Sequence, residues 1–236
     1  MCYSNSSTST NEQLAKTYRR KVSSSIPEIP LFYASGFSFP TWRIITASPE
    51  LETMGWGLLP WWFQGNDPLD FRQKTLNARV ESIYEKKSYQ GLVKAKRCII
   101  PSDGFFEWQH NGKNKTPYFI YPKNTPMFSM AGLYDEWTNP EGTQSIKTFS
   151  ILTTTANTLL GEIHNQKKRM PLLIDPSHVD AYVEGSDVIE AFPLLEEQYM
   201  TAHPVKKSIL LSALSNVPEA QQPYVENIGI QNSLFS

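Results

Sequence analysis

The sequence predicts an α+β domain built on antiparallel sheet, and three observations carry that prediction. Short apolar runs recur along all 236 residues and are punctuated by 17 prolines, which gives many strands joined by ordered loops. An Asn111-Gly112 step separates two alternating apolar segments, a strong hairpin signal. Strand-like and helix-like segments do not alternate regularly, as a doubly wound parallel sheet would require. The length allows a substantial core, and no repeat, low-complexity tract or long linker divides the chain. Residues 1–236 are therefore read as one domain, with 219–236 set apart as a C-terminal tail.

Taken in order, Thr10-Asn11-Glu12-Gln13 has the form of a capping box, and Leu14, Tyr18 and Val22 recur at helical spacing, so an early amphipathic helix is expected. Its Arg19-Arg20-Lys21 end suits the negative pole of a helix dipole. Residues 26–40, rich in Pro and aromatics, read as an ordered loop, and 42–46 and 54–59 as strands. A box-like Ser82-x-x-Glu85 predicts a helix over 82–95, interrupted in pattern by Gly91. Strands follow at 98–100, 105–109, 118–121, 127–133 and 147–154, and helices at 156–163, 177–183 and 187–192.

Composition excludes several classes. A formal net charge of -1 is wrong for a broadly basic coat on nucleic acid, although a local basic groove fits within it. No apolar run approaches the ~20 residues that span a bilayer, and the N-terminus lacks a signal-peptide core, so a cytoplasmic protein with no membrane partner is expected. The two cysteines and four histidines have no zinc-motif spacing, so neither metal nor cofactor is expected. Cys98, in Arg97-Cys98-Ile99-Ile100, reads as a buried strand residue.

Cys2 is different. A small second residue permits removal of Met1, leaving an α-amine and a thiol on adjacent carbons. In model compounds these titrate near ~7.7–8.0 and ~8.5, so a minority of each is reactive at neutral pH without tuning. Such a pair condenses with an aldehyde to a Schiff base and closes a thiazolidine ring. Glu107 lies among large aromatics in Gly104-Phe105-Phe106-Glu107-Trp108, where a carboxyl keeps its proton longer and suits general acid–base work. Asn77, Arg79 and Glu81 would share one side of an extended segment: Arg79 either forks a phosphate or pairs with Glu81, and Asn77 can hold the terminal amine. His164 precedes the basic run Lys167-Lys168-Arg169, a setting for an anionic substrate or for a solvated loop.

Together these segments form a pattern. Met1-Cys2, Trp56-Gly57-Leu58-Leu59-Pro60-x-Trp62, Asn77-Ala78-Arg79-x-Glu81, Arg97-Cys98-Ile99-Ile100-Pro101-x-Asp103-Gly104-Phe105-Phe106-Glu107-Trp108, Ala131-Gly132-Leu133-Tyr134 and His164…Arg169-Met170-Pro171 resemble, in order, the SOS-response-associated peptidase (SRAP) family, which shields abasic sites. The resemblance is clearest over residues 2–205. It implies a barrel-like, mainly antiparallel β core flanked by helices, a monomer, and a groove for single-stranded DNA containing abasic sites. It also implies a thiazolidine DNA–protein crosslink through Cys2, with Asn77, Glu107 and His164 as its catalytic partners and Arg79, Trp108 and Arg169 as DNA contacts. The family commonly has Gly-Arg after the cysteine where this chain has Tyr3-Ser4, and two extra residues lie between His164 and Arg169. Two other readings stand beside this one: a thiol autopeptidase or protease using Cys2, and a non-catalytic single-strand-binding module.

Overall fold

The structure, a computed structural model, describes residues 2–185 and 187–224. Among these the chain runs through β1 (Ser4–Ser7), α1 (Asn11–Tyr18), β2 (Leu31–Ser35), β3 (Thr41–Ile44), β4 (Glu52–Trp56), α2 (Pro68–Lys74), β5 (Asn77–Arg79) and β6 (Arg97–Ser102). It continues through β7 (Gly104–Asn111), β8 (Asn114–Pro122), β9 (Phe128–Thr138), β10 (Ser145–Thr155), α3 (Thr158–Ile163), β11 (Arg169–Pro171), α4 (Val179–Glu184), β12 (Met200–Pro204) and α5 (Lys207–Leu210).

Two sheets enclose the core. One has the order β12-β8-β7-β1-β2, and the other runs β3-β4-β10-β9-β6, with β5 and β11 also paired to β10. Just past β3, Ile45 exchanges two backbone hydrogen bonds with Ile99 of β6, at 3.0 and 2.8 Å, and so bends the second sheet almost closed. This is the barrel-like, mainly antiparallel core expected, flanked by short helices; β10 adds parallel pairing with β4 and β5. Trp42, Trp56, Phe105, Phe128 and Phe149 fill one part of the interior, and Leu14, Tyr89, Leu133 and Tyr182 belong to another. At ~25 cal/mol per Å² of apolar area, side chains of this size dominate the stabilisation.

The predicted hairpin forms: β7 and β8 pair from Phe105↔Ile120 to Asn111↔Asn114, and Gly112 turns the chain at φ 61°. Gly104 starts β7 where the backbone needs close approach, since a Cβ there would come within 2.6 Å of Ile120 O and overlap the Phe119 ring. The capping box is also present, Thr10 Oγ1 accepting from Gln13 N at 3.1 Å and Gln13 Oε1 from Thr10 N at 2.7 Å. The helix ends at Tyr18, with Arg19 in the left-handed region, so Val22 lies beyond it.

Three expectations are corrected. Residues 82–95 form successive turns instead of an α-helix: Tyr89 N and Leu92 N reach back three residues, Lys86 N and Lys96 N four. Ile83, Tyr89, Leu92 and Val93 are all buried, and Ile83 lies off the stripe that Tyr89, Leu92 and Val93 would share on a helix, so burial outweighs local propensity there. The stretch 26–40 contains β2, an edge strand on β1 whose outer amide Phe32 N is taken by Asn216 Oδ1 at 2.7 Å. The start of the supposed tail is bound down: Tyr224 N donates to Pro204 O at 2.8 Å, and Gln221 Nε2 donates to Ser6 Oγ at 2.5 Å and Phe32 O at 3.0 Å. Residues 225–236 of that segment lie outside the described residues.

Candidate active site

The N-terminal strand carries Cys2 into the core and is held there by polar groups of the β6–β7 turn. The Asp103 carboxylate accepts from Thr8 Oγ1 at 2.9 Å, Ser9 N at 3.2 Å, Ser9 Oγ at 2.5 Å and also from Thr8 N, while Asp103 N donates to Ser6 O at 3.0 Å. Ser102 Oγ donates to Asn5 Oδ1, and Asn5 is fully buried beside Met130. Pairing with β2 and β7 completes the tether.

Cys2 is fully buried among the aromatic residues of the core, and its Sγ donates to Ser4 O at 3.6 Å. Burial first, and the Glu107 charge second, push the thiol well above its usual range. The sequence-based expectation of a partly ionised, untuned thiol is thus corrected: this thiol keeps its proton until something removes it. Asn77 comes from β5, where parallel pairing with β10 points its amide at the N-terminus, and Nδ2 donates to Cys2 O at 2.8 Å. Asn77 Oδ1 is buried and has no hydrogen-bond partner among the described residues.

Glu107 sits on β7, is 4% exposed, and burial raises its carboxyl to about 7. His164, the C-cap of α3, places Nδ1 3.8 Å from Glu107 Oε1. The same Nδ1 donates to Arg169 O at 2.9 Å; a carbonyl only accepts, so the proton is fixed on Nδ1 and Nε2 becomes the basic atom of the neutral ring. Burial pulls the imidazole below its ordinary range, chiefly by desolvation.

Glu107, His164, Trp108 and Tyr3 line one cleft of about 540 Å³. Lys115, Lys167 and Lys207 line it too, giving a cationic opening that the overall charge of -1 concealed. Lys115 and Lys207 escaped the sequence reading because isolated lysines carry no pattern; Lys207 Nζ lies 6.0 Å from the Trp108 ring centroid.

Arg79 and Arg169 do not line this cleft. Arg79 is exposed at the end of β5. Arg169, expected as a DNA contact, is 9% exposed and forks Glu81 at 2.5 and 2.9 Å while donating to Thr153 O at 2.6 Å. The bracing pair considered for Glu81 therefore forms, with Arg169 in place of Arg79, and the backbone O of the same Arg169 accepts from His164.

A family model described as SOS response associated peptidase (SRAP) matches residues 1–211. Among curated relatives, "Abasic site processing protein HMCES" of Gallus gallus is 34% identical over 196 residues, 73% of this chain and 57% of the relative. "Abasic site processing protein YoqW" of Bacillus subtilis is 37% identical over 141 residues, 57% of this chain and 60% of the relative. The chain thus spans somewhat over half the length of these relatives. A crystal structure of a Bacteroides thetaiotaomicron protein aligns with a TM-score of 0.87 at 34% identity, covering 95% of this chain and 100% of that one. A Bordetella bronchiseptica protein aligns at a TM-score of 0.75 and 20% identity, covering 87% and 100%, a likeness of fold alone.

Proposed function

Because the chain belongs to the SOS response associated peptidase family, we propose that it processes abasic sites in single-stranded DNA by forming a thiazolidine crosslink through Cys2 once Met1 has been removed. The observation that carries this reading is the convergence on the N-terminus of three groups the chemistry needs. They are the Asn77 amide 2.8 Å from Cys2 O, the Glu107 carboxyl poised near neutrality, and His164 beside it.

The steps follow from those groups. The α-amine of Cys2 adds to the ring-opened aldehyde, giving a carbinolamine; protonation of its hydroxyl releases water and leaves an imine. The thiol adds to the imine carbon, its proton passes to nitrogen, and the ring closes with net loss of one water. Asn77 Oδ1, a buried acceptor in need of a donor, suits an N–H of the freed amine and would orient it. A carboxyl near pH 7 gives a proton to the departing hydroxyl and afterwards takes one from the thiol. The raised thiol value is compatible with this order, because the amine reacts first and the thiol then attacks within the same residue at very high effective concentration. His164, fixed as the Nδ1–H tautomer, supplies a neutral base for the sugar hydroxyl. Lys115, Lys167 and Lys207 would neutralise phosphates, and Trp108 offers a face for a base.

Incubation of the Cys2-initiated protein with a single-stranded oligonucleotide bearing one abasic site should give a band stable in denaturant. Cys2→Ala should remove it, and a protein retaining Met1 should give at most a hydrolysable adduct. A band of undiminished strength in Cys2→Ala would end this reading.

A further inference from the structure

An abasic sugar has lost the flat apolar surface by which single strands are normally held, so affinity must come from its neighbours. We infer that Tyr3 and Phe37 form a stacking platform for the nucleobase immediately beside the lesion, a subsite that requires an intact base at that position. The inference rests on reading the cleft as the site for abasic single strands.

Tyr3 lines the same cleft as Glu107, so its ring borders the space open to a nucleotide that adjoins the reacting sugar. Its other neighbour is Phe37, with ring centroids 5.1 Å apart and planes inclined at 37°. Phe37 is 51% exposed, so about half of its surface is open to a ligand. Burial, and then the Glu107 charge, push the Tyr3 hydroxyl above its ordinary value, so the ring presents an uncharged face at neutral pH.

The platform is rigid. Gly36 N donates to Tyr3 O at 2.8 Å, tying the backbone of one aromatic to the turn that carries the other. That turn is closed by Phe39 N on Gly36 O at 3.0 Å, Phe37 N on Ser35 Oγ at 3.3 Å and Ser38 Oγ on Ser35 O at 2.7 Å. It sits hard on the core: a Cβ at Gly36 would lie 3.2 Å from Trp56 and from Leu76. Two aromatics already held in place lose little freedom when a base stacks on them. Lys167 and Lys207, in the same cleft, would carry the phosphates on either side of that nucleotide.

The test measures reversible binding by fluorescence anisotropy, using single strands in which a tetrahydrofuran spacer replaces the abasic sugar. This probe has no aldehyde, so the result does not depend on the crosslink, which an ordinary abasic oligonucleotide tests in parallel. Companion strands carry a second spacer on the 5′ or the 3′ side of the first. The native protein should bind about tenfold more weakly to one of the two companions, the order of loss expected when one stacked base is removed. Phe37→Ala and Tyr3→Leu should lose about as much on the singly spaced strand and almost nothing further on that companion, whereas Tyr3→Phe should behave as native. Thermal melts would establish that each variant is folded; Phe37→Ala, changed at a half-exposed position, should melt close to native. Equal binding of all strands by the native protein, or full retention of its discrimination in both Phe37→Ala and Tyr3→Leu, overturns the inference.

Discussion

Glu107→Gln should make the protein more stable and less reactive at once. Burial moves the carboxyl from 4.5 to about 7. Once ionised, it costs the folded state about 3 kcal/mol relative to the neutral form, at ~1.4 kcal/mol per pKa unit. The sign follows from proton binding. Between about pH 4.5 and 7 the native protein holds a proton that the unfolded chain has released, so this contribution is present in full at low pH and is lost as pH rises through 7. Glutamine keeps the shape and cannot ionise. Denaturant unfolding should therefore place Glu107→Gln within about 1 kcal/mol of native at pH 4.5 and about 2–3 kcal/mol above it at pH 8. His164 titrates in the opposite sense, since its lowered value removes stability as pH falls, but it does so in both proteins and largely cancels from the difference. Crosslink formation by the variant should fall by about 10²–10⁴-fold, the usual worth of a general acid–base group, and lose the pH dependence centred near 7. A variant whose stability relative to native is the same at both pH values would refute the assignment of a buried, neutral-poised carboxyl.

Further outcomes follow from particular contacts. Asn77→Ala should slow crosslinking about tenfold to hundredfold, with a shift in melting temperature small enough to separate orientation of the amine from folding, checked by single-turnover kinetics. Asp103→Ala should cost about 2–4 kcal/mol in denaturant unfolding, because four donors lose one carboxylate, and should slow the reaction by loosening the strand that delivers Cys2. Lys207→Ala and Arg169→Ala should separate cleanly. The lysine variant should reduce the slope of log affinity against log salt by about one at native stability, while the arginine variant should lose about 1–3 kcal/mol of stability through its buried hydrogen bonds.

The parts of this fold legible in the sequence were those with a local cause. The capping box at Thr10 and the Asn111-Gly112 turn are specified by a few adjacent residues, and both form as read. The strands around Ile99, Phe105 and Phe149 are marked by apolar runs that any burial requires. What escaped depends on distant partners. β1 reads as a polar N-terminal stretch, Ser4 to Ser7, and becomes a strand because β2 and β7 pair with its backbone and Ser102 Oγ donates to Ser6 O from β6 of the other sheet. The segment 82–95 carries a helix-start signal, yet burial of Ile83, off the stripe shared by Tyr89, Leu92 and Val93, decides its path. At the site, Glu107 and His164 were recognisable as chemistry-bearing residues, but their 3.8 Å approach was not. Arg169 looked like one more exposed cation in a basic run, and only the fold brings Glu81 to it. The lysines of the cleft come from the β7–β8 hairpin, the loop after α3 and α5, so their convergence has no linear signature.

The most direct test of the account is the intact mass of the protein after exposure to a single-stranded oligonucleotide with one natural abasic site. The account expects a species equal to the chain without Met1, plus the oligonucleotide, minus one water, absent from Cys2→Ala. A protein with a verified free Cys2 amine that shows no such species under these conditions, or a Cys2→Ala variant that forms it as readily, would contradict the account.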